Sequence, residues 1–523
     1  MSAIEGQANG QTGADALISA LADCGVSHIF ANPGTSELDL VLALDREPRI
    51  KAVPVLFEGV ASGAADGFGR MTARPAATLL HLGPGYLNAA ANLHNARRAR
   101  TPLINLVGDH AVAHRRHDAP LTSDLNSIVA PQSVWVRDVA AAREMADAAR
   151  EAVHTAILRR GPATLIIPAD AAWGGCATSG EVTVQVAPVG PNEQAISLAV
   201  DKLRAARQPA IFVGGRCLQE RGLEACARLV QAGWRVIAET FPARQARGAG
   251  RFAPERLTYF AEMGQTQLAG TDLLVCVGAK APVGYFAYPD KPSKHIPEGC
   301  QIHHLVAFGE CEAEGIVMLA DAVGASTSVL PATPAAPSQN DGALNRESIA
   351  TAIACHMPAD CIVSDDGVTL SGAVIAATAS APPHDWLCLT GGALGQGLPL
   401  AVGAALASPG RRVLALTGDG AMMYTAQALW TIARLNLDVV VVVAVNRSYE
   451  ILRFEFARMG KSELGPAGRD LLSLDSPNID YCSLATAMGV DSVRCSDSRE
   501  FGERLRWAFE NRGPFLIEAL CVP

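Results

Sequence analysis

The chain reads as an α/β protein of three doubly wound parallel-sheet domains, and three observations carry that reading. Its 523 residues exceed one ordinary domain and fit about three at roughly 150 residues each. Short β-branched runs alternate throughout with longer stretches of helical spacing, the pattern of parallel strands joined by helices that cover both sheet faces. Two Pro-rich seams interrupt the alternation, "VAPVGPNEQ" around 188–194 and "LPATPAAPSQNDG" over 330–342, where the prolines permit neither a helix nor a paired strand. The expected domains are 11–185, 192–330 and 343–523.

Taken in order, "VSHIF", "AATLLHL", "PLINLVG" and "ATLIIPA" are the expected strands of the first segment. "PAIFVGG", "RVIAET" and "DLLVCVGA" serve the second, and "CIVSDDG", "RVLALTGDG" and "DVVVVVAVN" the third. Composition narrows the function classes. No apolar run approaches the roughly 20 residues that cross a bilayer, and "MSAIEGQANGQTGADAL" lacks a basic stretch followed by an apolar one. A cytoplasmic protein without a membrane partner is expected. The 13 cysteines are scattered and form no C-x-x-C pair, which fits reduced thiols better than a disulfide framework or a zinc site. A formal charge of -9 argues against nucleic acid as a partner, and the short basic run "NARRAR" reads as a solvated helix face.

The stretch "LTGDGAMMYTAQALW" places Asp419 between Gly418 and Gly420, directly after an apolar strand. In parallel sheets, ligands gather outside the carboxyl ends of the strands. The following "AMMYTAQALWTIARLN" has Leu429, Ile432, Ala433 and Leu435 at helical spacing, and the next strand ends at Asn446. Sequential parallel strands are often neighbours, so the Asp419 carboxylate and the Asn446 carboxamide are expected to meet at one sheet edge. Glycines beside the aspartate let backbone amides approach a phosphate, and the helix start adds its positive end. Hard oxygen ligands combined with phosphate suit Mg²⁺. A Gly-Asp-Gly tripeptide is also an ordinary turn; the later Asn at a strand end is what favours a metal and a diphosphate.

Gly-Asp-Gly, a helix, a strand and then Asn resembles the signature of thiamine diphosphate (ThDP) enzymes, in particular the acetolactate synthase, benzoylformate decarboxylase and pyruvate decarboxylase superfamily. The likeness covers nearly the whole chain. It implies a pyrimidine-binding first domain, a diphosphate-binding third domain and a middle domain that is cofactor-free or a nucleotide-binding relic. It assigns Mg²⁺ to Asp419, Asn446 and the main-chain carbonyl of Ser448, and extends the cofactor cradle to Ala421 and Tyr449. Where the family often has Asn-Asn, this chain has Val445-Asn446.

Other stretches match the same family. "FANPGTSELDLVLAL" resembles its N-P-G-x-x-E loop, which implies cofactor contacts at Pro33 and Thr35. "VPVLFEGVASGAADGFGRMT" resembles the segment with the glutamate that activates the cofactor, here Glu58. A carboxylic acid bonded to the pyrimidine ring nitrogen promotes the imino tautomer, and burial among Val55, Leu56, Phe57 and Val60 favours a shared proton. A glutamate in a first helical turn is also favoured by the helix dipole alone. "TGGALGQGLPLAVGAAL" does not follow G-x-G-x-x-G. The resemblance places the Gly392 carbonyl near the pyrimidine amino group and Leu394 as the apolar wedge that bends the cofactor, a preorganisation by packing. Thr369 in "SDDGVTLSG" is a candidate diphosphate contact.

The family decarboxylates 2-oxo acids and then either protonates the product to an aldehyde or adds it to a second carbonyl compound. His81 in "LLHLGPGYLNAAANL" matches a histidine of benzoylformate decarboxylase, while the adjoining Gly-Pro-Gly resembles acetolactate synthase. "GDHAVAHRRHDAP" resembles a pyruvate decarboxylase motif in which His117 aligns with the first of two catalytic histidines and Asp118 replaces the second. His110 and His114 belong to the same run, which also reads as a metal-binding or solvated loop. Two positions where relatives carry proton donors hold Phe286 and Leu452. The resemblance therefore implies an acetolactate-synthase-like carboligase acting on pyruvate or a similarly small 2-oxo acid. A dedicated decarboxylase is the alternative. A flavin-linked oxidoreductase is an alternative of another class, since "FVGGRC" and "VCVGA" could cradle a nucleotide, and a non-enzymatic sensor that retains ThDP is a further one. FAD, which acetolactate synthases carry, has no support beyond that analogy. Family analogy sets Glu58 across a subunit interface from Asp419, so a homodimer or a dimer of dimers is expected.

Overall fold

The computed structural model describes residues 11–176, 190–306, 310–326, 334–339, 341–460 and 464–521. Both Pro-rich seams lie partly outside these residues, as do the expected boundaries at 185, 330 and 523. Three sheets organise the rest. The first comprises β1 (His28–Asn32), β2 (Lys51–Pro54), β3 (Ala76–His81), β4 (Leu103–Asp109), β5 (Trp135–Asp138) and β6 (Pro162–Pro168). Its order is β2-β1-β3-β4-β6-β5 and all its pairings are parallel. β4 and β6 are buried at every residue, which is why they show continuous apolar runs rather than alternation.

The chain continues with β7 (Pro209–Val213), β8 (Arg235–Ala238), β9 (Gln245–Arg247), β10 (Glu255–Arg256), β11 (Leu273–Val277) and β12 (Gln301–Val306). Five of these form the second sheet, in the order β10-β8-β7-β11-β12. β9 leaves it and pairs antiparallel with the edge of the third sheet, Ala246 opposite Asp385. That sheet holds β13 (Ile362–Asp366), β14 (His384–Leu387), β15 (Val413–Gly418), β16 (Val439–Val445), β17 (Asp491–Cys495) and β18 (Phe515–Leu520). Its order is β17-β18-β16-β15-β13-β14-β9. The expected parallel architecture is thus present in all three sheets, with one antiparallel edge strand added to the third. Its three residues are too few for a sequence pattern to reveal them.

The first and third sheets are joined by two small-residue helices, Glu58–Thr72 and Gly397–Ala407. A Cβ at Gly67 would collide with the carbonyl oxygen of Leu400, and one at Gly403 with that of Ala64. Only glycine admits this backbone approach. Around the contact, Asp66 is fully buried, salt-bridged to Arg70 at 2.6 Å and hydrogen-bonded by Gln396 Nε2 at 2.7 Å.

The region after Asp419 differs from the sequence reading. In place of one helix, a single turn at Asp419–Met422 and a second helix at Ala428–Arg434 flank a bend. Thr425 Oγ1 donates to the Gly395 carbonyl at 2.7 Å, while Met423 and Tyr424 turn outward. A tertiary hydrogen bond outweighs the local helical pattern here. "NARRAR" also differs in part: Arg97 and Arg98 are exposed at the end of helix Leu82–Ala99, but Arg100 turns into a cleft against the second sheet.

Candidate active site

β15 and β16 are adjacent and parallel, with Gly418 opposite Ala444, so the residues that follow them meet at the carboxyl edge. Asp419 is 5% exposed. Its Oδ1 accepts from the Gly420 amide at 2.8 Å and its Oδ2 from the Arg447 amide at 2.6 Å. Burial pushes its carboxyl above the usual carboxylate range, and backbone amides act against that shift. Asn446 Oδ1 accepts from the Ser448 amide at 3.0 Å, and Arg447 between them has φ 57, so the chain turns sharply and folds the loop toward Asp419. Tyr481, fully buried, donates from its hydroxyl to the Asp419 carbonyl at 3.0 Å.

Asp419, Asn446 and Ser448 line an open cleft at this edge. Its walls include the expected Thr369, Leu394, Gly418, Gly420, Ala421, Ser448 and Tyr449, together with Arg346 and Glu450. A Cβ at Gly418 would meet nothing within 4 Å, so the cleft floor is open there. Val368, also in the wall, has φ 49, a conformation that costs a β-branched residue of order 1–3 kcal/mol and is found where surrounding structure over-determines it.

The loop that carries Gly392 and Leu394 is held from three sides. Asn95 Nδ2 donates to the Ala393 carbonyl at 2.8 Å, and Asn95 Oδ1 accepts from the Ala393 amide at 3.2 Å. Asp366 Oδ2 accepts from the amides of Gly395 at 2.8 Å and Gly397 at 3.2 Å. Thr425 provides the third hold. Gly392 has φ 77, which suits a glycine, and the position of its missing Cβ lies 3.8 Å from Tyr285 of the segment after β11.

A second constellation forms at the carboxyl edge of the first sheet. Glu58, 7% exposed, opens helix Glu58–Thr72. It accepts from Asn32 Nδ2 at 3.2 Å and from Asn88 Nδ2 at 3.0 Å. His81 closes β3, with Nδ1 2.8 Å from Oε2 of the fully buried Glu37. With Nδ1–H donating to that carboxylate, Nε2 is left as the acceptor. The His81 ring lies against Gly34, where a Cβ would collide with it, and Glu37 fills the space left by Gly108. Pro33 and Thr35 are exposed beside this group.

Comparison with known proteins places the chain in a family. The N-terminal TPP binding domain of thiamine pyrophosphate enzymes matches residues 11–128, and the C-terminal TPP binding domain matches 368–519. A provisionally named acetolactate synthase large subunit of Mycobacterium tuberculosis, IlvX, is 45% identical over 97% of this chain and 98% of its own length. The chain belongs to the thiamine pyrophosphate enzyme family. Benzoylformate decarboxylase of Pseudomonas aeruginosa is 28% identical over 94% of this chain and 96% of its own. A Rhodococcus jostii RHA1 thiamine diphosphate-dependent 4-hydroxybenzoylformate decarboxylase superposes with a TM-score of 0.85. The match covers 98% of this chain and 99% of that one at 24% identity, a likeness of fold.

As a ThDP enzyme, the chain presents a donor set suited to the cofactor. Asp419, the Asn446 carboxamide and the Ser448 carbonyl offer hard oxygens at one sheet edge, the carboxylate is buried, and Gly418 leaves the floor open beside them. None of Pro33, Thr35, Glu58 and His81 lines the cleft that contains Asp419. His110, His114 and His117 form a run of tilted rings with centroids 5.2 and 5.6 Å apart, His114 and His117 being set toward the surface. The candidate substrate positions Leu452 and Phe286 are 45% and 60% exposed. Leu452 lies on helix Glu450–Arg458, directly after the loop of Asn446 and Ser448. The end of that helix is anchored by Arg458, which lies 4.3 Å over both the Phe260 and Tyr288 rings and pairs with Glu262.

Sequence reasoning missed Glu37, Asn32 and Asn88 as partners of His81 and Glu58. Glu37 and Asn32 had a signal, being the two ends of the N-P-G-x-x-E loop. Asn88, Asn95 and Asp366 had none, because each reaches its partner only through packing of distant elements. A separate cluster of possible metal ligands, Asp480, Cys482 and Glu518, lies away from the cleft. Arg494 bridges it, pairing with Asp480 at 2.9 Å and Glu518 at 3.1 Å, so its negative charge is already met by the protein. Among the described residues, no helix is long and apolar enough to cross a membrane.

Proposed function

We propose that the chain is a decarboxylating carboligase of acetolactate synthase type, which joins pyruvate or a similarly small 2-oxo acid to a second carbonyl compound. The observation that carries this reading is the apolar character of Leu452 and Phe286, both exposed where the family's dedicated decarboxylases place proton donors. Without a donor there, the decarboxylated unit meets an acceptor carbonyl more often than a proton.

When bound, ThDP supplies a nucleophilic carbon and an electron sink for the bond cleaved beside it. Asp419, the Asn446 carboxamide and the Ser448 carbonyl would hold Mg²⁺. The amides beside Gly418 and Gly420 and the side chains of Thr369 and Tyr449 would contact the diphosphate. Leu394 would pack against the cofactor, and the Gly392 carbonyl would accept from its amino group. Glu58, held by Asn32 and Asn88, would hold or release a proton at its carboxyl toward the bound cofactor. His81, oriented by Glu37, and His117 position the substrate carboxylate and the acceptor carbonyl.

Within one chain the Glu58 group does not line the Asp419 cleft. This supports an active site completed by a second copy, as a homodimer or a dimer of dimers. The test is a panel of 2-oxo acids with and without acceptor carbonyls, with products identified by NMR. Ligated product in excess of aldehyde is expected; aldehyde as the main product despite abundant acceptor overturns the reading. A decarboxylase of benzoylformate type is the second reading, favoured by the His81–Glu37 pair.

A further inference from the structure

The glycine turns "FVGGRC" and "VCVGA" close β7 and β11, which are adjacent in the second sheet. This carboxyl edge is where a doubly wound sheet receives a dinucleotide, and a diphosphate there needs free backbone amides and no competing negative charge. Neither condition holds in this chain. The Gly215 amide donates to Glu239 Oε1 at 3.1 Å, and a Cβ at Gly214 would lie 2.6 Å from that same oxygen. At the end of β11, the Cβ position of Gly278 is 2.7 Å from Glu312 Cγ, and Glu312 is 2% exposed. The space that glycines open for a phosphate is filled by two carboxyl side chains.

Arginines surround them, and three of these form ion pairs within the chain. A cleft of about 1190 Å³ beside the turns is lined by Arg70, Arg100, Arg160, Arg216 and Arg244. Arg160 Nη2 lies 3.6 Å from Glu312 Oε2. Burial holds the Arg100 and Arg216 guanidiniums below their usual range, with Glu239 and Glu312 acting against that shift at Arg100 and Glu312 at Arg216, and burial likewise pushes the Glu239 carboxyl up to about 7. Arg70 is taken by Asp66 at 2.6 Å and Arg244 by Asp385 at 2.9 Å. We propose that Glu239 and Glu312 stand where the diphosphate of a dinucleotide would lie, with Arg160 as the counterion of Glu312. The middle segment is then closed to flavin and adenine nucleotides, and the FAD of acetolactate synthases does not fit here.

The test is calorimetric titration of ADP and of inorganic pyrophosphate into the full-length protein in metal-free buffer, where the Asp419 cleft lacks the cation that holds a diphosphate. Flavin absorbance of the purified protein is read alongside. The wild type should show no flavin band and no binding of either probe up to about 1 mM. Glu312→Ala removes one internal anion and Glu312→Gln neutralises it while keeping its shape. Either should tighten pyrophosphate binding by roughly tenfold or more, equivalent to about 1.4 kcal/mol. Flavin that copurifies in stoichiometric amount, or ADP binding by the wild type at micromolar concentration, overturns the proposal. So does unchanged pyrophosphate affinity in both variants.

Discussion

Asn95 grips Ala393 by both of its backbone polar groups, at 2.8 and 3.2 Å. A side chain from the first sheet's layer thereby fixes the loop that carries Gly392 and Leu394 into the cleft of the third. Asn95 is itself fully buried and also donates to Asn92 Oδ1 at 3.1 Å, so the grip is set by packing rather than by solvent.

Asn95→Ala should loosen that loop. Ala393 is half-buried, so leaving its two backbone groups unpaired costs at most about 1–3 kcal/mol each, and less where water replaces the lost partner. A lower melting temperature and several-fold weaker ThDP binding are expected, read by calorimetry and by quenching of intrinsic fluorescence. Unaltered ThDP affinity would show that Leu394 is positioned without Asn95.

Asp419→Ala should abolish Mg²⁺-dependent ThDP binding, because it removes the only carboxylate among the three proposed metal ligands. Asn446→Ala should weaken binding in the same direction. Affinity that calorimetry finds unchanged in Asp419→Ala would refute the metal site.

Glu58→Gln should keep the fold and most ThDP binding but lose most turnover. Its amide can still accept a hydrogen bond from Asn32 or Asn88, yet it cannot exchange the proton. Sedimentation should find at least a dimer in the active protein. A fully active monomer contradicts the placement of Glu58 across an interface.

Leu452→Glu should shift products toward aldehyde, since it restores a proton donor on the helix that follows the metal loop. The ratio of ligated product to aldehyde, measured by NMR at fixed acceptor, is the readout. An unmoved ratio removes Leu452 from the explanation of product choice.

Asp366 should make stability depend on pH. Burial pushes its carboxyl up to about 7 from 3.8, with the Gly397 and Gly395 amides acting against that rise and neighbouring Asp365 adding to it. The folded chain therefore holds a proton that the unfolded chain releases, and stability falls as pH rises from about 4 through 7. Asp366→Asn cannot lose a proton, so it should gain on the wild type as pH increases and keep that gain above 7. His28 and His384, depressed to about 4 by burial, act in the opposite direction below their unfolded pKa of 6.5. They are common to both proteins and cancel in the difference. Parallel urea unfolding at about pH 5.5 and 8, on either side of the folded pKa, measures it; a constant difference would mean that Asp366 is ionised throughout.

The legibility of each feature in the sequence follows the range of the interaction behind it. The strands ending at Gly418 and Val445 were readable because a buried parallel strand must be apolar at every residue, and Asp419 and Asn446 stood out against that rule. Their meeting followed from adjacent strands linked by a short crossover. Glu58 was legible through the likeness of its segment to the family's cofactor-activating stretch, since a glutamate in a first helical turn is favoured by the helix dipole alone. The bend at Met423–Ala426 was not, because the local pattern is helical and only the Gly395 carbonyl, brought near by the third sheet, draws Thr425 away from it.

By itself, the sequence determined the α/β class, the two strand ends that carry Asp419 and Asn446, and the candidate acid Glu58, since each depends on residue order within one strand or helix. Tertiary structure alone decided that Asn95 and Asp366 hold the Leu394 loop, that Glu37 orients His81, and that Glu239 and Glu312 occupy the glycine turns of the second sheet. Those partners are far apart in the chain, and only the packing of whole layers sets the distances at which a hydrogen bond or an ion pair forms.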